Sequence, residues 1–267
     1  MSLVTHEKNG LVYFTSPQIA VPHGFSTRKG GVSKPPYDSL DLGPNRGDDP
    51  EAVLENSRRF CAAVGADVER TVLSAQVHET TVRVVTSEDA GKGLFRERDY
   101  TADALITNER GLSLEVFSAD CGNLLLWDRK TGAVGAIHAG WRGCAAGIIE
   151  KTLRSMEKLY GSSPADLYAA LGPCIGQCCF ETDSDVPAAM LEALGQEAEA
   201  FLMKKGAKWY VDLAGFNQLW LLRAGVPAEH IDVSGLCTAC RNDLFWSHHK
   251  MGIARGLQAA LITCKER

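Results

Sequence analysis

Short apolar runs, each closed by turn residues, constrain this chain more than any other feature. They are TVLSAQVH (71–78), DALIT (103–107), LSLEVFSADC (112–121), GAVGAIHAG (132–140) and DLYAALGPC (166–174). They are rich in β-branched residues and too short for stable helices, so they read as buried strands. Helical patterns lie between several of them. Residues 50–65 carry Asp49 as N-cap, Pro50 at the first position, and Val53, Ser57, Phe60, Cys61 and Val64 on one face. Residues 144–160 repeat the pattern with Ile148, Ile149, Thr152, Leu153, Met156 and Leu159, and Gly161 stops them. Two further helices are expected over 186–195 and 212–224, the latter with Leu213, Phe216, Leu219 and Trp220 inward. Strands mixed with helices in this way predict an α/β or α+β layered sheet.

A chain of 267 residues is of a size that one hydrophobic core serves, which predicts one domain over 1–267. The net charge is −5 and there is no basic stripe to neutralise a phosphate backbone, so nucleic acid is not an expected partner. No apolar run approaches the ~18 residues of a membrane span. The start, MSLVTHEKNG, has neither the apolar stretch nor the cleavage site of a signal peptide. A cytoplasmic protein without membrane contact is expected. The nine cysteines are odd in number and come without a secretion signal, which favours thiols or metal ligands over disulfides. The longest irregular stretch, 28–49, has the length of a functional loop.

His78, Cys121 and His138 each stand at the close of a predicted strand, where the chain gives way to a loop. Ligands in open α/β sheets bind beyond the carboxyl ends of strands, so these side chains are placed to converge. Two imidazoles and a thiolate form an N, S, N set that suits zinc with a fourth position open to water or substrate. The alternative is ordinary: cysteine is among the most often buried residues, and a histidine at a strand end can serve a structural hydrogen bond. Sequence separation matches no local metal motif and does not decide between the two.

Several stretches together carry a resemblance: HGFSTRKGGVS (23–33), LDLGPNRGDDP (40–50), QVH (76–78), ADALIT (102–107), ADC (119–121), HAGWRG (138–143), LGPCIGQCCFE (171–181) and CT (237–238). In this order they resemble the YfiH/YlmD family, known as laccase-domain or polyphenol oxidase proteins and as purine nucleoside phosphorylases. The resemblance implies a single α/β domain with a mixed central β-sheet layered with helices. It also implies zinc held by His78, Cys121 and His138, with a purine nucleoside and phosphate as small-molecule substrates. Three departures stand out: Gly122-Asn123 follows ADC where the family has proline at the second position, Glu79 follows His78 where glycine is common, and FWSHHKMGIARG (245–256) replaces an aromatic and paired arginines.

With a metal at His138, the glycines of HAGWRG turn the chain tightly and helix 144–160 follows at once. Its first amides, with Arg142 beside them, would then form an anion site next to the metal. Arg28, in the Gly-rich STRKGGVS loop, is a second cation for the same anion, and Asn45 is a sugar or base contact. Cys121, His138 and Arg142 are thus the expected catalytic residues, and Asp103 and Asp120 lie where they could orient ligands, although alternation along the strand points Asp120 away.

The leading expectation is phosphorolysis of adenosine, inosine or methylthioadenosine, with adenosine deamination as a side activity. Copper can take the same N, S, N set. A four-copper laccase, however, needs many more imidazoles than seven histidines without a His-X-His pair provide. A third reading makes Cys121 the nucleophile of a hydrolase acting on peptidoglycan precursors. CTAC (237–240) is half of a structural zinc motif whose partner would be CIGQCC (174–179), but buried thiols are the default there and the resemblance implies no second site.

Overall fold

The structure, a computed structural model, describes residues 3–265, so residues 1, 2, 266 and 267 of the expected 1–267 domain lie outside it. The N-terminal part comprises β1 (Val4–Lys8), β2 (Leu11–Thr15), β3 (His23–Ser26), α1 (Pro50–Val64), β4 (Thr71–Leu73), β5 (Val82–Val84) and β6 (Ala104–Thr107). The middle follows with β7 (Ser113–Ser118), β8 (Gly122–Asp128), β9 (Val134–Ala139), α2 (Trp141–Ala145), α3 (Ile148–Tyr160) and β10 (Leu167–Leu171). The rest is β11 (Glu181–Thr182), α4 (Asp185–Leu194), β12 (Leu202–Lys205), β13 (Lys208–Val211), α5 (Leu213–Arg223), β14 (Ile231–Val233), α6 (His248–Met251) and β15 (Gln258–Thr263).

The strands form two six-stranded sheets, ordered β1-β2-β3-β15-β7-β4 and β14-β10-β8-β9-β6-β5, and a three-stranded sheet, β11-β13-β12. Both large sheets are mixed: β4 runs parallel to β7 in the first, and β5 to β6 and β10 to β14 in the second. The expected α/β class is what the chain adopts, with the mixed sheet doubled. The apolar runs show why. Along β8, Leu124 and Leu126 enter a core shared with α3, α4 and α5, while Leu125 between them enters the core between the two sheets. Along β15, Ala260 and Ile262 face that same central core, whereas Ala259 and Leu261 pack toward Phe60 and Cys61 of α1. The layers therefore run helix, sheet, sheet, helices, and the central strands are apolar on both faces.

The helix expected over 50–65 forms as α1, with the Asp49 carboxylate accepting from the Glu51 amide and Gly65 closing it in the left-handed region. The helix expected over 144–160 does not form as one piece. Gly147, at φ 79°, separates α2, which starts at Trp141, from α3, so the longer helix begins ten residues past His138. The strand expected over 71–78 stops at Leu73, and the one over 112–121 stops at Ser118. Residues 119–121 then carry the chain from one large sheet to the other, with Asp120 at φ 96°, and a strand absent from the sequence reading, β8, begins at Gly122.

Candidate metal centre

The crossing from sheet to sheet positions two of the expected ligands. Strand β8 pairs antiparallel with β9, Gly122 opposite Ala139 and Asn123 opposite His138, so Cys121 is delivered beside His138. The third ligand arrives by side-chain hydrogen bonds rather than by a strand. The Gln76 amide exchanges two 2.7 Å bonds with the backbone of Phe117, taking the place that further β-pairing would fill. The Asp103 carboxylate then accepts the successive amides of Val77, His78 and Glu79 at 3.0 to 3.1 Å. His78 sits at φ 64° in this clamp, a left-handed conformation that the three amide bonds hold.

Asp103 also fixes His138. Its Oδ1 lies 2.8 Å from His138 Nδ1, and its carbonyl accepts the His138 amide at 2.7 Å. With Nδ1–H committed to a fully buried carboxylate, Nε2 is the atom His138 offers to a metal. One donor atom each from His78, Cys121 and His138 lies within 4.8 Å of the others, and Cys121 Sγ is 3.9 Å from His78 Nε2. A Cβ on Gly140 would sit 3.1 Å from Cys121 Sγ and 3.4 Å from atoms of both imidazole rings, so glycine there keeps the space among the ligands open. These donors could hold a metal. Nitrogen, sulfur and nitrogen in mutual reach, one ring oriented from behind and a glycine facing the centre, fit a divalent ion with one position left open.

Electrostatics in this cluster follow from proximity. Burial pushes the Cys121 thiol up, but the His138 and His78 rings outweigh burial and bring it down to about 6. Burial pushes His138 down, and the Cys121 thiolate and Asp103 outweigh that, raising it to about 9. Burial likewise raises the Asp103 carboxyl, and His138 with the Glu79 and Val77 amides brings it below the usual range. Without a metal, the favoured state is a thiolate facing an imidazolium.

The cluster opens into two cavities. One, of about 350 Å³, is lined by His78, Cys121 and His138 together with Asn45, Phe117, Arg46, Arg98 and Arg255. Arg255 is 8% exposed, its Nη1 donates to the Gly256 carbonyl, and its Nε has no hydrogen-bond partner among the described residues. The other cavity, of about 400 Å³, shares His78, Cys121 and Arg255 and is walled by Trp141, Ile175, Phe180 and Leu213.

The expected site residues thus divide. His78, Cys121, His138 and Asn45 come together, whereas Arg28 and Arg142 line neither cavity. Arg28 stacks 4.1 Å over the Trp246 ring and donates to the Asp38 and Asn242 carbonyls, bracing the 28–49 loop. Arg142 is exposed, lies 4.4 Å from the centroid of its neighbour Trp141, and lines a separate shallow pocket with Ala189 and Glu192. The expectation that both face the metal fails because α2 turns Arg142 outward and the long loop uses Arg28 internally. Asp120 turns away from the ligands, accepting from Thr238 and Ser247 hydroxyls and the His249 amide. The cations that do reach the cavity were missed. Arg255 had a signal, since it lies in the segment that departs from paired arginines, and Arg46 had one as the neighbour of Asn45 in the 28–49 loop; Arg98 had none.

Over residues 22–265 the chain matches the family described as multi-copper polyphenol oxidoreductase laccase. The purine nucleoside phosphorylase YlmD of Geobacillus stearothermophilus is 37% identical over 246 residues, spanning 91% of this chain and 90% of that protein. The purine nucleoside phosphorylase of Bacteroides thetaiotaomicron is 34% identical over 261 residues, 96% of each chain. Among solved structures, YlmD from Geobacillus stearothermophilus superposes with a TM-score of 0.91 at 35% identity over 98% of both chains. The hypothetical protein YfiH of Bacillus licheniformis does so with a TM-score of 0.90 at 32% identity, over 97% of this chain and 98% of that one. At this identity and coverage the chain belongs to the laccase-like YfiH/YlmD family.

Proposed function

We propose that this chain is a zinc-dependent purine nucleoside phosphorylase, acting as one catalytic domain over 1–267 in the cytoplasm. It takes adenosine or inosine, and methylthioadenosine as a further substrate, and needs neither nucleic acid nor membrane; no helix among the described residues is long and apolar enough to cross one. The observation that carries the reading is the pairing of two unlike cavities across the His78, Cys121 and His138 cluster. Arg46 and Arg98 line the first, Trp141, Ile175, Phe180 and Leu213 line most of the second beside Asp120, Glu181, His248 and His249, and Arg255 borders both. Phosphate is held by Arg46, Arg98 and Arg255, the buried Nε–H of Arg255 being an unpaired donor for it. The purine lies against Trp141, Phe180 and Leu213. The ribose then spans the ligand cluster, with Asn45 as a sugar contact. Zinc, when bound by the three ligands, supplies Lewis acidity to an oxygen at its open position.

In the reaction a phosphate oxygen forms a bond to the anomeric carbon as the glycosidic bond breaks. The purine leaves with that electron pair and takes up a proton, and ribose 1-phosphate remains. The arginines are in place before reaction and stabilise charge as it moves from nucleophile to base. Adenosine deamination, in which water replaces the C6 amino group and ammonia leaves, is a side activity of the same centre. The test is turnover of inosine and adenosine with and without phosphate, with sugar products identified. Ribose 1-phosphate formed only when phosphate is present supports the reading, and release of free ribose at the same rate without phosphate removes it.

One observation favours a second reading. Cys121, His138 and Asp103 stand in the order of nucleophile, base and orienting carboxylate, the arrangement of a cysteine hydrolase. Thiolate catalysis and metal binding compete for one sulfur, so a metal-free enzyme with full hydrolytic activity would favour it.

A further inference from the structure

Away from the cluster already described, a second group of metal-capable side chains lies among the described residues: Cys178, Cys179, Cys237 and Cys240. We propose that these four cysteines bind a second, structural zinc ion, independently of the reading of the first site. Their sulfurs all lie within 4.8 Å of one another, and Cys240 Sγ is 3.5 Å from the sulfurs of both Cys178 and Cys179. Four sulfurs at about 2.3 Å from one zinc stand about 3.8 Å apart along the edges of the tetrahedron, so the four thiols close around an ion with little movement. All are free rather than bonded in disulfides. Cys237 and Cys240 have the two-residue spacing of structural zinc pairs, and sulfur is the donor that such soft sites use.

The backbone is arranged for this grouping. Cys174 and Cys237 form an isolated parallel bridge that lays the segment after β10 along the segment after β14. The amides of Gly176 and Cys240 point at Cys237 Sγ at 3.2 and 3.5 Å, donors that favour a thiolate there. Gly176 lets the segments meet, since a Cβ on it would lie 3.2 Å from Cys237 Cβ and 3.4 Å from Cys178 Sγ. The expectation of buried thiols does not hold at this place: Cys178 and Cys240 are exposed, and Cys179 and Cys237 half-buried. Small-residue packing therefore does not account for four cysteines here, and ligation does.

The ion joins two segments that reach the first site. Ile175 and Phe180, on either side of Cys178 and Cys179, wall the apolar cavity, and Thr238 donates at 2.6 Å to Asp120, the residue before Cys121. With four protein donors and no open position, the ion fixes this wall and takes no part in chemistry.

Metal counting on protein purified without added metal tests the assignment. Wild type is expected to carry two zinc ions per chain. His138→Ala, which opens the first site, should keep one, with an X-ray absorption shell of sulfur alone at about 2.3 Å. Cys237→Ser with Cys240→Ser should also keep one, in a shell containing nitrogen. If the serine variant does not fold, the wild-type shell decides: sulfur outnumbers nitrogen and oxygen when both sites are filled and is the minority when only the first is. A metal-free His138→Ala protein, a nitrogen-dominated wild-type shell, or intact masses showing disulfides among the four cysteines would overturn the proposal. Loss of phosphorolysis in wild type would leave these counts untouched and bears only on the first site.

Discussion

Two clusters of soft donors in one chain differ in the respects that separate chemistry from scaffolding. His78, Cys121 and His138 offer three mixed donors, one of them backed by a buried carboxylate, and they border two cavities. The cysteines at 178, 179, 237 and 240 offer four identical donors, two exposed and two half-buried, with Cys237 accepting two backbone amides. An incomplete donor set beside a cavity leaves room for a substrate, while a complete set leaves none. The contrast extends to the source of the residues. The first cluster depends on strand crossings and a carboxylate clamp, the second on two adjoining loop segments.

The contrast is sharpest in His138→Ala. Removing this ligand should lower kcat/KM for inosine by about three orders of magnitude, the several kcal/mol that a Lewis acid contributes to a transition state, while the folded core persists. Steady-state kinetics alongside thermal melting measure both. A loss of less than tenfold would break the distinction between the clusters. Asp103→Asn comes next. One carboxylate oxygen accepts from His78 N and His138 Nδ1, and the other from Val77 N and Glu79 N, so an amide NH2 must oppose donors on one side or the other. Activity and metal affinity should fall by about 10- to 100-fold, as for other residues that orient metal ligands. Arg255→Ala should raise KM for phosphate by about tenfold or more, the range of a charge-assisted hydrogen bond, whereas Arg142→Ala should change it less than about threefold. Equal effects of the two would refute the placement of the anion.

The smallest effect concerns pH and compares the clusters directly. After metal removal under reducing conditions, Cys121 is a thiolate down to about 6, because its histidine neighbours outweigh burial. Cys178 is pushed up to about 11, by burial and then by Cys240 and Cys237. Iodoacetamide at neutral pH should therefore label Cys121 well before Cys178, and labelling of Cys121 should fall only as the pH drops through about 6. Peptide mapping of the alkylated protein checks this. Labelling of Cys121 that instead rises through an ordinary thiol range near 9 would contradict it.

The sequence exposed the parts of this arrangement that depend on strands. Apolar runs leading to His78, Cys121 and His138 were visible because the central strands are buried on both faces, although β4 and β7 stop at Leu73 and Ser118 and, of the three, only His138 lies within a strand. The path between ligands was less visible. The run over 112–121 reads as a strand that gives way to a loop after Cys121, yet Gly122 opens β8, because the chain turns at Asp120, two residues earlier. Gly147 lies inside a strong helical pattern, and only its left-handed conformation, with Trp220 packed nearby, shows the break. Arg46, Arg98 and Arg255 come from irregular segments with no periodic signal, so their meeting in one cavity is a property of the tertiary structure alone. The cysteine pairs were legible as motif halves, while their exposure and mutual distance were not.

The proposed chemistry depends on one ion shared by two imidazoles and a sulfur. A crystal of the protein as purified, measured with X-rays on either side of the zinc absorption edge, tests this most directly. The predicted result is an anomalous peak in bonding contact with His78 Nε2, Cys121 Sγ and His138 Nε2, at about 2.0 to 2.3 Å. Continuous density for a metal-free Cys121 with no anomalous peak among the three side chains would contradict it.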